Sequence, residues 1–361
     1  MRTGIIYHPK YLEHEQSPSH PERRERLAYT MDQLMEEGIF DLENILLIEP
    51  EMADIDDILS VHEESYVRFL ERESRTGGII DFDTSIPVGV FELALLAAGG
   101  AIRAGKEVAE GQVDNAFAMV RPPGHHAKPH TGAGFCYFNN IAIMVRHLQK
   151  MGIERVAILD WDAHHGDGTQ EIFYEDDSVL FISTHQIPLY PGTGYPDEIG
   201  KGRGEGYTVN IPVPPGTSDE EYLYIFDSVI EPVLREFQPE FIAVSAGQDN
   251  HFTDPITGLA LTARGYGMLM QKARVLAEEL CGGRIVAVLE GGYSVEQALP
   301  YTNLAIICGL AGLDLSNIRE PENYIGELRW RKRSYAMQKV RDNVMDVKKI
   351  HSKYWDCFKD L

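Results

Sequence analysis

The chain has 361 residues, of which 43% are hydrophobic and 25% charged, and these ordinary values exclude a disordered or collagen-like chain. It contains no apolar run near the roughly 20 residues that a membrane-spanning helix needs, and its first residues lack the apolar core of a secretory signal. With 56 acidic and 33 basic residues the formal net charge is −23, and such a surface repels phosphate backbones, which argues against direct nucleic-acid binding.

Short apolar runs recur along the chain, and each ends in a polar, glycine-rich stretch. Unbroken runs of this length, rich in β-branched residues, are typical of strands that are buried on both faces of a parallel sheet. The predicted strands cover residues 116–120, 156–159, 179–182, 241–244 and 285–289.

Helical patterns alternate with these strands. The predicted helices cover residues 27–34, 141–148, 219–236 and 262–280. A further amphipathic pattern at 335–357, with Val340, Val344, Val347 and Ile350 on one face, predicts a C-terminal helix packed on the outside. Strands that alternate with helices indicate an α/β sandwich. Because no repeat or linker interrupts the pattern, we predict a single domain over residues 1–361.

Polar residues follow four of the predicted strands, at the point where each strand ends. Open parallel sheets place their ligand sites at the carboxyl ends of the strands. The four segments are 121–126 (RPPGHH), 160–167 (DWDAHHGD), 245–249 (SAGQD) and 290–293 (EGGY). If the sheet is parallel, all four segments converge on one edge.

The segment after the second predicted strand has the residue types of a metal site. Residues two apart in an extended segment point the same way, so Asp162 and His164 reach a single point. Asp249, at the end of another predicted strand, is the best third ligand. Carboxylate and imidazole ligands suit zinc, although iron, cobalt or manganese also fit, and three protein ligands leave an open position typical of a catalytic metal. The alternative is that these residues only cap a strand end, but so many ionisable groups are costly for that purpose.

Paired histidines and a tyrosine add acid–base chemistry. The rigid turn before His125 and His126 fixes where their imidazoles point, and near a metal they offer a general base and a group that stabilises charge. Asp160 and Asp167 are available to set their tautomers. The phenol of Tyr293, on an open glycine turn, can donate to a polarised carbonyl oxygen. The alternative is that these are core side chains with satisfied hydrogen bonds.

Taken together, these motifs resemble the histone deacetylase superfamily, which also includes acetylpolyamine amidohydrolases and acetoin-utilisation proteins. They occur in the family's order between Gly4 and Gly312, and their forms are most similar to the class II and bacterial branch. The motifs are 121–127 (RPPGHHA), 134–139 (GFCYFN), 160–169 (DWDAHHGDGT), 190–194 (YPGTG) and 290–293 (EGGY).

The resemblance implies the arginase/deacetylase fold. This α/β fold has a central eight-stranded parallel sheet sandwiched between helices, with the active site at the carboxyl ends of the strands. The core would cover residues 4–312, and a helical extension would cover 313–361. The family's zinc ligands fall on Asp162, His164 and Asp249, and Fe²⁺ or another divalent ion remains possible.

The resemblance also assigns roles to the acid–base residues. His126 matches the general base and acid, paired with Asp167. His125 matches the electrostatic histidine, paired with Asp160. Tyr293 matches the tyrosine that polarises the carbonyl group.

Substrate-binding residues follow in the same way. Phe135 and Tyr190 match the aromatic walls of the acyl-lysine tunnel, and Gly134 its floor. Asp83 matches a rim aspartate that grips the substrate backbone. Ile256 lies where polyamine-selective relatives have a glutamate, which weakens a polyamine interpretation.

The family also binds structural potassium, so the resemblance implies two K⁺ sites. The first would use Asp160, Asp162, His164, Ser183 and Thr184. The second would use Phe173, Asp176, Val179 and Tyr207, partly through main-chain carbonyls. One departure lies beside the third zinc ligand, where class II relatives usually have Phe and this chain has Gln248.

The acidic surface and the cysteines bear on partners and compartment. The negative charge attracts lysine-rich tails or polyamines, or it is only an adaptation for solubility or salt. The four cysteines form no C-x-x-C pair, and we interpret them as free thiols in a reducing compartment. We therefore expect a cytoplasmic protein without membrane or nucleic-acid partners, whose oligomeric state the sequence leaves open.

Our hypothesis is a zinc-dependent amidohydrolase that removes an acetyl or other acyl group from N-acyl-lysine of proteins or peptides. An acetylpolyamine deacetylase with the same chemistry is the first alternative. A non-catalytic acyl-lysine binding protein is the alternative from another class, although binding alone has no need of an acid–base pair. A manganese ureohydrolase ranks last, because it needs more aspartate bridges for two metals.

Overall fold

The computed structural model describes residues 1–320 and 322–359, and a parallel β-sheet lies at its centre. The strands of this sheet are β1 (Thr3–Ile6), β2 (Ile45–Ile48), β5 (Asn115–Ala118), β6 (Val156–Asp160), β7 (Val179–Gln186), β8 (Thr208–Val213), β9 (Phe241–Ala246) and β10 (Ile285–Leu289). They lie in the order β2-β1-β5-β10-β9-β6-β7-β8, and every pair of neighbours is parallel. A separate antiparallel hairpin joins β3 (Gly78–Ile79) to β4 (Ser85–Ile86).

Helices connect the strands. They are α1 (Glu25–Glu36), α2 (Ile55–Ile58), α3 (Glu64–Glu73), α4 (Val90–Ala109), α5 (Asn140–Lys150), α6 (Asp167–Phe173), α7 (Asp219–Ile225), α8 (Glu231–Phe237), α9 (Ala263–Cys281), α10 (Leu299–Ala311), α11 (Ile325–Arg331) and α12 (Ala336–His351). A π-helical segment, Phe226–Ile230, joins α7 to α8. No helix among the described residues is both long enough and apolar enough to cross a membrane.

The burial of the central sheet explains why the apolar runs of the sequence form strands. Every residue of β5 to β10 is buried, because helices cover both faces of the sheet. At the edge of the sheet, β2 exposes part of its side chains. The expected α/β sandwich with a parallel sheet is therefore present, and its core lies on both faces of the central strands.

Most of the predicted elements are present, with some differences in extent. The five predicted strands lie at β5, β6, β7, β9 and β10. The predicted helix at 219–236 is broken by the π-helical segment. The C-terminal helix ends at His351, and along it Val340, Val344 and Val347 are buried while Ile350 is only partly buried.

The parallel register brings the functional segments to one edge. Asp160, the last residue of β6, pairs with Ser183 of β7 on one side and with Ser245 of β9 on the other. Leu289, the last residue of β10, pairs with Ala246 at the end of β9. The segments that follow these strands therefore start side by side, as parallel sheets require of a ligand site.

Candidate active site

Three side chains from two loops form a buried cluster with the geometry of a metal site. Asp162, His164 and Asp249 each offer one ligand atom, and these atoms lie within 4.8 Å of one another. His164 Nδ1 lies 2.8 Å from Asp249 Oδ2 and 3.1 Å from Asp162 Oδ1. Backbone N–H groups of Gly291 and Ala163 donate to the remaining oxygens of Asp162 and Asp249, each at 2.8 Å. The carboxylates are thus held in place by the backbone.

The electrostatics of the cluster favour a cation. Burial opposes protonation of His164, but hydrogen bonds to the carboxylates of Asp162 and Asp249 raise its pKa to about 10. Burial and repulsion from Asp162 raise the pKa of Asp249 to about 6. A strongly negative, buried pocket with two carboxylates and one imidazole is a donor set that a catalytic zinc or Fe²⁺ ion fits.

Two histidine–aspartate pairs lie beside the cluster. His125 Nδ1 is 3.1 Å from Asp160 Oδ2, and His126 Nδ1 is 2.8 Å from Asp167 Oδ1. The two imidazole rings have centroids 4.0 Å apart. The other oxygen of Asp167 pairs with Lys128 Nζ at 3.0 Å. Each carboxylate fixes the Nδ1 side of its imidazole, which leaves Nε2 for chemistry.

Their surroundings shift the pKa values of the two imidazoles in opposite directions. Burial opposes protonation of His125, but the charges of Asp162 and Asp160 raise its pKa well above the usual value. Burial and the charge of His125 lower the pKa of His126 to about 4. These surroundings therefore favour the neutral form of His126 and the protonated form of His125.

Tyr293 is buried beside this group, and several contacts fix its backbone and ring. Its N–H donates to Asp254 Oδ2 at 2.8 Å, and the Arg26 guanidinium lies 5.0 Å from its ring centroid. Gly292 before it has φ +120°, a conformation that other residues rarely adopt, and its carbonyl accepts from Arg26 Nε at 2.7 Å. Burial raises the pKa of the Tyr293 phenol well above the usual value, so the phenol keeps its proton as a donor.

A buried ion network, which the sequence did not predict, supports both catalytic loops. Glu22 accepts from Arg26 Nη1 and Arg121 Nη2, each at 3.0 Å, and all three side chains are fully buried. Arg121 also donates to the carbonyls of Tyr11 and His14 at 2.7 and 2.8 Å. One carboxylate thus links the arginine of the RPPGHH segment to the arginine that holds the EGGY segment. The RPPGHH motif was the only signal, and it gave Arg121 no role.

Glu290 is a second support between the same segments. Its Oε2 accepts from the N–H groups of Gly124 and His125 at 2.7 and 3.0 Å, and burial raises its pKa to about 7. The sequence placed Glu290 in a motif but gave it no function. Through these two hydrogen bonds Glu290 holds the backbone at Gly124 and His125, where the paired histidines begin.

The residues predicted to form a tunnel converge on the acid–base group. The Tyr190 ring is 5.1 Å from the His126 ring, and the Phe135 ring is 5.7 Å from the Tyr293 ring. Gly134 has φ +53°, and a Cβ there would lie 2.4 Å from His126 Cδ2. Only glycine fits at that position. The two aromatic side chains therefore pack beside His126 and Tyr293, and a tunnel between them stays a prediction.

The predicted rim residues lie on two other loops. Asp83 lies in the loop between β3 and β4, and burial and the neighbouring Asp81 raise its pKa to about 6. Its carbonyl pairs with His20 Nε2 at 3.2 Å, and the His20 ring packs on the Phe135 ring at 4.5 Å. Ile256 is half-buried on the loop that follows the third predicted ligand. Contact of either residue with substrate stays a prediction.

The residues predicted for potassium lie in two groups. In the first, Asp160 is in register with Ser183, and Thr184 follows on β7. The second lies along the connection from α6 to β7 and at the start of β8, and consists of Phe173, Asp176, Val179 and Tyr207. The carboxylate of Asp176 pairs with Arg146 at 2.7 Å, so main-chain carbonyls are the available ion ligands there. Potassium binding stays a prediction.

Comparisons with known proteins show which family and fold the chain is similar to. A sequence model of the histone deacetylase domain matches residues 20–309. A probable deacetylase of Archaeoglobus fulgidus is 71% identical over 99% of this chain and 100% of its own length. The histone deacetylase-like amidohydrolase of Pseudomonas aeruginosa is 40% identical, over 74% of this chain and 71% of its own. The crystal structure of the HDA15 HD domain superposes with a TM-score of 0.86 at 32% identity, over 99% of this chain and 96% of that one.

The eight-stranded parallel sheet and the buried site at its carboxyl edge define the arginase/deacetylase class of α/β folds. Within that class, the chain belongs to the histone deacetylase family, with the domain match covering most of its length. The fold and the family predicted from the motifs are both confirmed. Membership of this family indicates a deacetylase that acts on an acylated substrate.

Proposed function

We propose that the protein is a zinc-dependent amidohydrolase that removes an acetyl or other acyl group from N-acyl-lysine of proteins or peptides. The observation that carries this proposal is the convergence of a three-ligand cluster, two histidine–aspartate pairs and a buried phenol at one edge of the sheet. An acyl-lysine binding protein without catalysis has no use for two buried imidazoles that are each paired with a carboxylate.

Asp162, His164 and Asp249 would hold Zn²⁺ or Fe²⁺, which supplies a Lewis acid when bound. His126, neutral and oriented by Asp167, accepts a proton from the attacking water. It then returns that proton to the departing amine.

The other two groups stabilise the negative charge that develops on the acyl oxygen. Tyr293 donates its phenolic hydrogen to that oxygen, and the bonds from its N–H to Asp254 and from Arg26 to the Gly292 carbonyl hold it in position. His125 is buried beside the cluster and bonds Asp160, and its imidazole would offset the same negative charge. Neither group needs to move a proton during this step.

The side chains beside the site support lysine as the acylated amine. Phe135 and Tyr190 offer apolar faces on the path to the histidines, and these suit the methylene stem of a lysine side chain. The partly buried, apolar Ile256 offers no charge to the second amine of a polyamine. The net charge of −23 favours cationic substrates of either kind, so acetylated polyamines remain the competing substrates in the test.

Hydrolysis of an acetyl-lysine peptide and of acetylspermidine by the purified, zinc-loaded protein tests the proposal. We expect faster turnover of the peptide, loss of turnover after chelation, and recovery with zinc or Fe²⁺. Faster turnover of acetylspermidine would change the substrate class, and full turnover by protein shown to be metal-free would refute the proposed mechanism.

Metal content provides a readout that does not depend on activity. Asp249→Ala should reduce bound zinc from about one equivalent to a small fraction, because two of three ligands bind weakly. Asp197→Ala, which removes an exposed carboxylate, is the control and should retain the metal. Equal zinc content in both variants, measured by elemental analysis, would exclude Asp249 as a ligand.

A further inference from the structure

Phe135 adopts a backbone conformation that needs external support. Its φ is +71°, in the left-handed region that residues other than glycine, above all bulky ones, rarely occupy. The same residue is the predicted wall of the acyl-lysine passage, and its ring lies 5.7 Å from the Tyr293 ring. Whatever holds Phe135 in this conformation therefore also positions its ring beside Tyr293.

The support comes from the loop between β3 and β4. The N–H of Phe135 donates to Thr84 Oγ1 at 3.0 Å, and the Thr84 hydroxyl donates in turn to Asp83 Oδ1 at 3.2 Å. Thr84 is fully buried, so water cannot replace its hydroxyl. His20 packs on the Phe135 ring while its Nε2 pairs with the Asp83 carbonyl. One loop thus holds the backbone of Phe135 directly and its ring through His20.

We propose that Thr84 is a positioning residue for substrate binding, whose hydroxyl holds Phe135 in the left-handed conformation and links the wall of the passage to the rim carboxylate of Asp83. The proposal rests on the proposed function, because it takes the acyl-lysine stem to be what Phe135 contacts. Tyr293 has its own anchors in Asp254 and Arg26, so loss of the Thr84 hydroxyl should weaken binding and leave the chemical step nearly intact.

Thr84→Val and Thr84→Ser test the hydroxyl, since valine removes it at nearly constant volume and serine keeps it. We expect Thr84→Val to raise the KM for an acetyl-lysine peptide about tenfold, the effect of one lost buried hydrogen bond, while kcat changes less than threefold. Thr84→Ser should restore KM to within threefold of the wild type. Thr131→Val is the matched control, because its hydroxyl bonds only the carbonyl of Gly132 on the same segment.

Direct binding separates this effect from catalysis. On the slow Tyr293→Phe background, Thr84→Val should raise the Kd for the same peptide by the same factor, measured by calorimetry before appreciable hydrolysis. His20→Ala is a second variant in case Thr84→Val does not fold, and it should also raise KM because it removes the contact with the Phe135 ring.

An unchanged KM in Thr84→Val, or in His20→Ala where the valine variant is insoluble, would overturn the proposal. The proposal would also be overturned if Thr84→Val lowered kcat at constant KM, or if Thr84→Ser and Thr84→Val raised KM equally. Failure of the wild-type protein to hydrolyse any acyl-lysine peptide would instead refute the proposed function, so the two failures are distinguishable.

Discussion

His125 and His126 are neighbours in sequence with opposite electrostatic surroundings. His125 faces Asp160 and lies 3.8 Å from Asp162 through its Nε2, whereas His126 is dominated by burial and by the charge beside it. Peptide neighbours can differ in this way because the dielectric and the local charges, rather than the residue type, decide protonation. The surroundings thereby favour the neutral form of one imidazole and the protonated form of the other.

Tyr293→Phe tests the phenol at the residue scale. We expect kcat on an acetyl-lysine peptide to fall roughly 10²- to 10³-fold, the usual effect of removing one donor to a developing oxyanion. The ring keeps its contacts with Arg26 and Phe135, so the zinc content and the fold should not change. Tyr195→Phe, at an exposed site, is the control, and turnover by Tyr293→Phe within threefold of wild type would contradict the oxyanion role.

The residues that the sequence predicted and those it missed differ in how they act. Asp162 and His164 were predictable, because their spacing after a strand already places both side chains on one point. Glu22 was not, because it acts through contacts with Arg121, 99 residues away. Thr84 was missed for the same reason, since its partner Phe135 is 51 residues away. Local spacing carries no information about such long-range hydrogen bonds.

At the scale of elements, some segments lacked a clear pattern. In β8 the buried polar Asn210 and the proline at 212 interrupt the apolar run that marks the other central strands. The helix predicted at 219–236 changes to π-helical form just before Pro232, a residue that cannot donate the helical hydrogen bond. The order of strands in the sheet is likewise set by pairings between distant segments, which periodicity does not encode.

The C-terminal helix α12 allows a stability test at this scale. Val344 is fully buried where α12 packs against β8, so Val344→Ala should lower the free energy of unfolding by about 1–3 kcal/mol. Met345, the next residue, is half exposed, and Met345→Ala should change it by less than about 0.5 kcal/mol. Urea unfolding measures both values, and equal effects would mean that α12 does not pack as described.

At the scale of the whole molecule, buried neutral histidines make stability depend on pH. His62 is a clear case, since its Nδ1 donates to the Lys128 carbonyl and its Nε2 accepts from the Asn139 N–H, both at 2.9 Å. Burial lowers its pKa to about 4, whereas an unfolded histidine titrates near 6.5. The unfolded chain therefore binds more protons, and stability falls as the pH drops from about 6.5 toward 4.

His62→Gln tests this dependence. The variant should be less stable than the wild type at pH 8, because a buried hydrogen bond is lost. Between pH 8 and pH 5, however, it should lose about 2 kcal/mol less than the wild type, which follows from the two pKa values. His130→Gln, at an exposed site, is the control, and a wild-type-minus-variant difference that does not change with pH would contradict the prediction.

The carboxylate of Glu22 touches two arginines, one in the segment that carries His125 and His126 and the other bonded to the carbonyl before Tyr293. One carboxylate therefore joins the two segments, which limits their movement relative to each other. On heating, both segments should therefore lose their structure at a single temperature, as one cooperative unit, and not in stages.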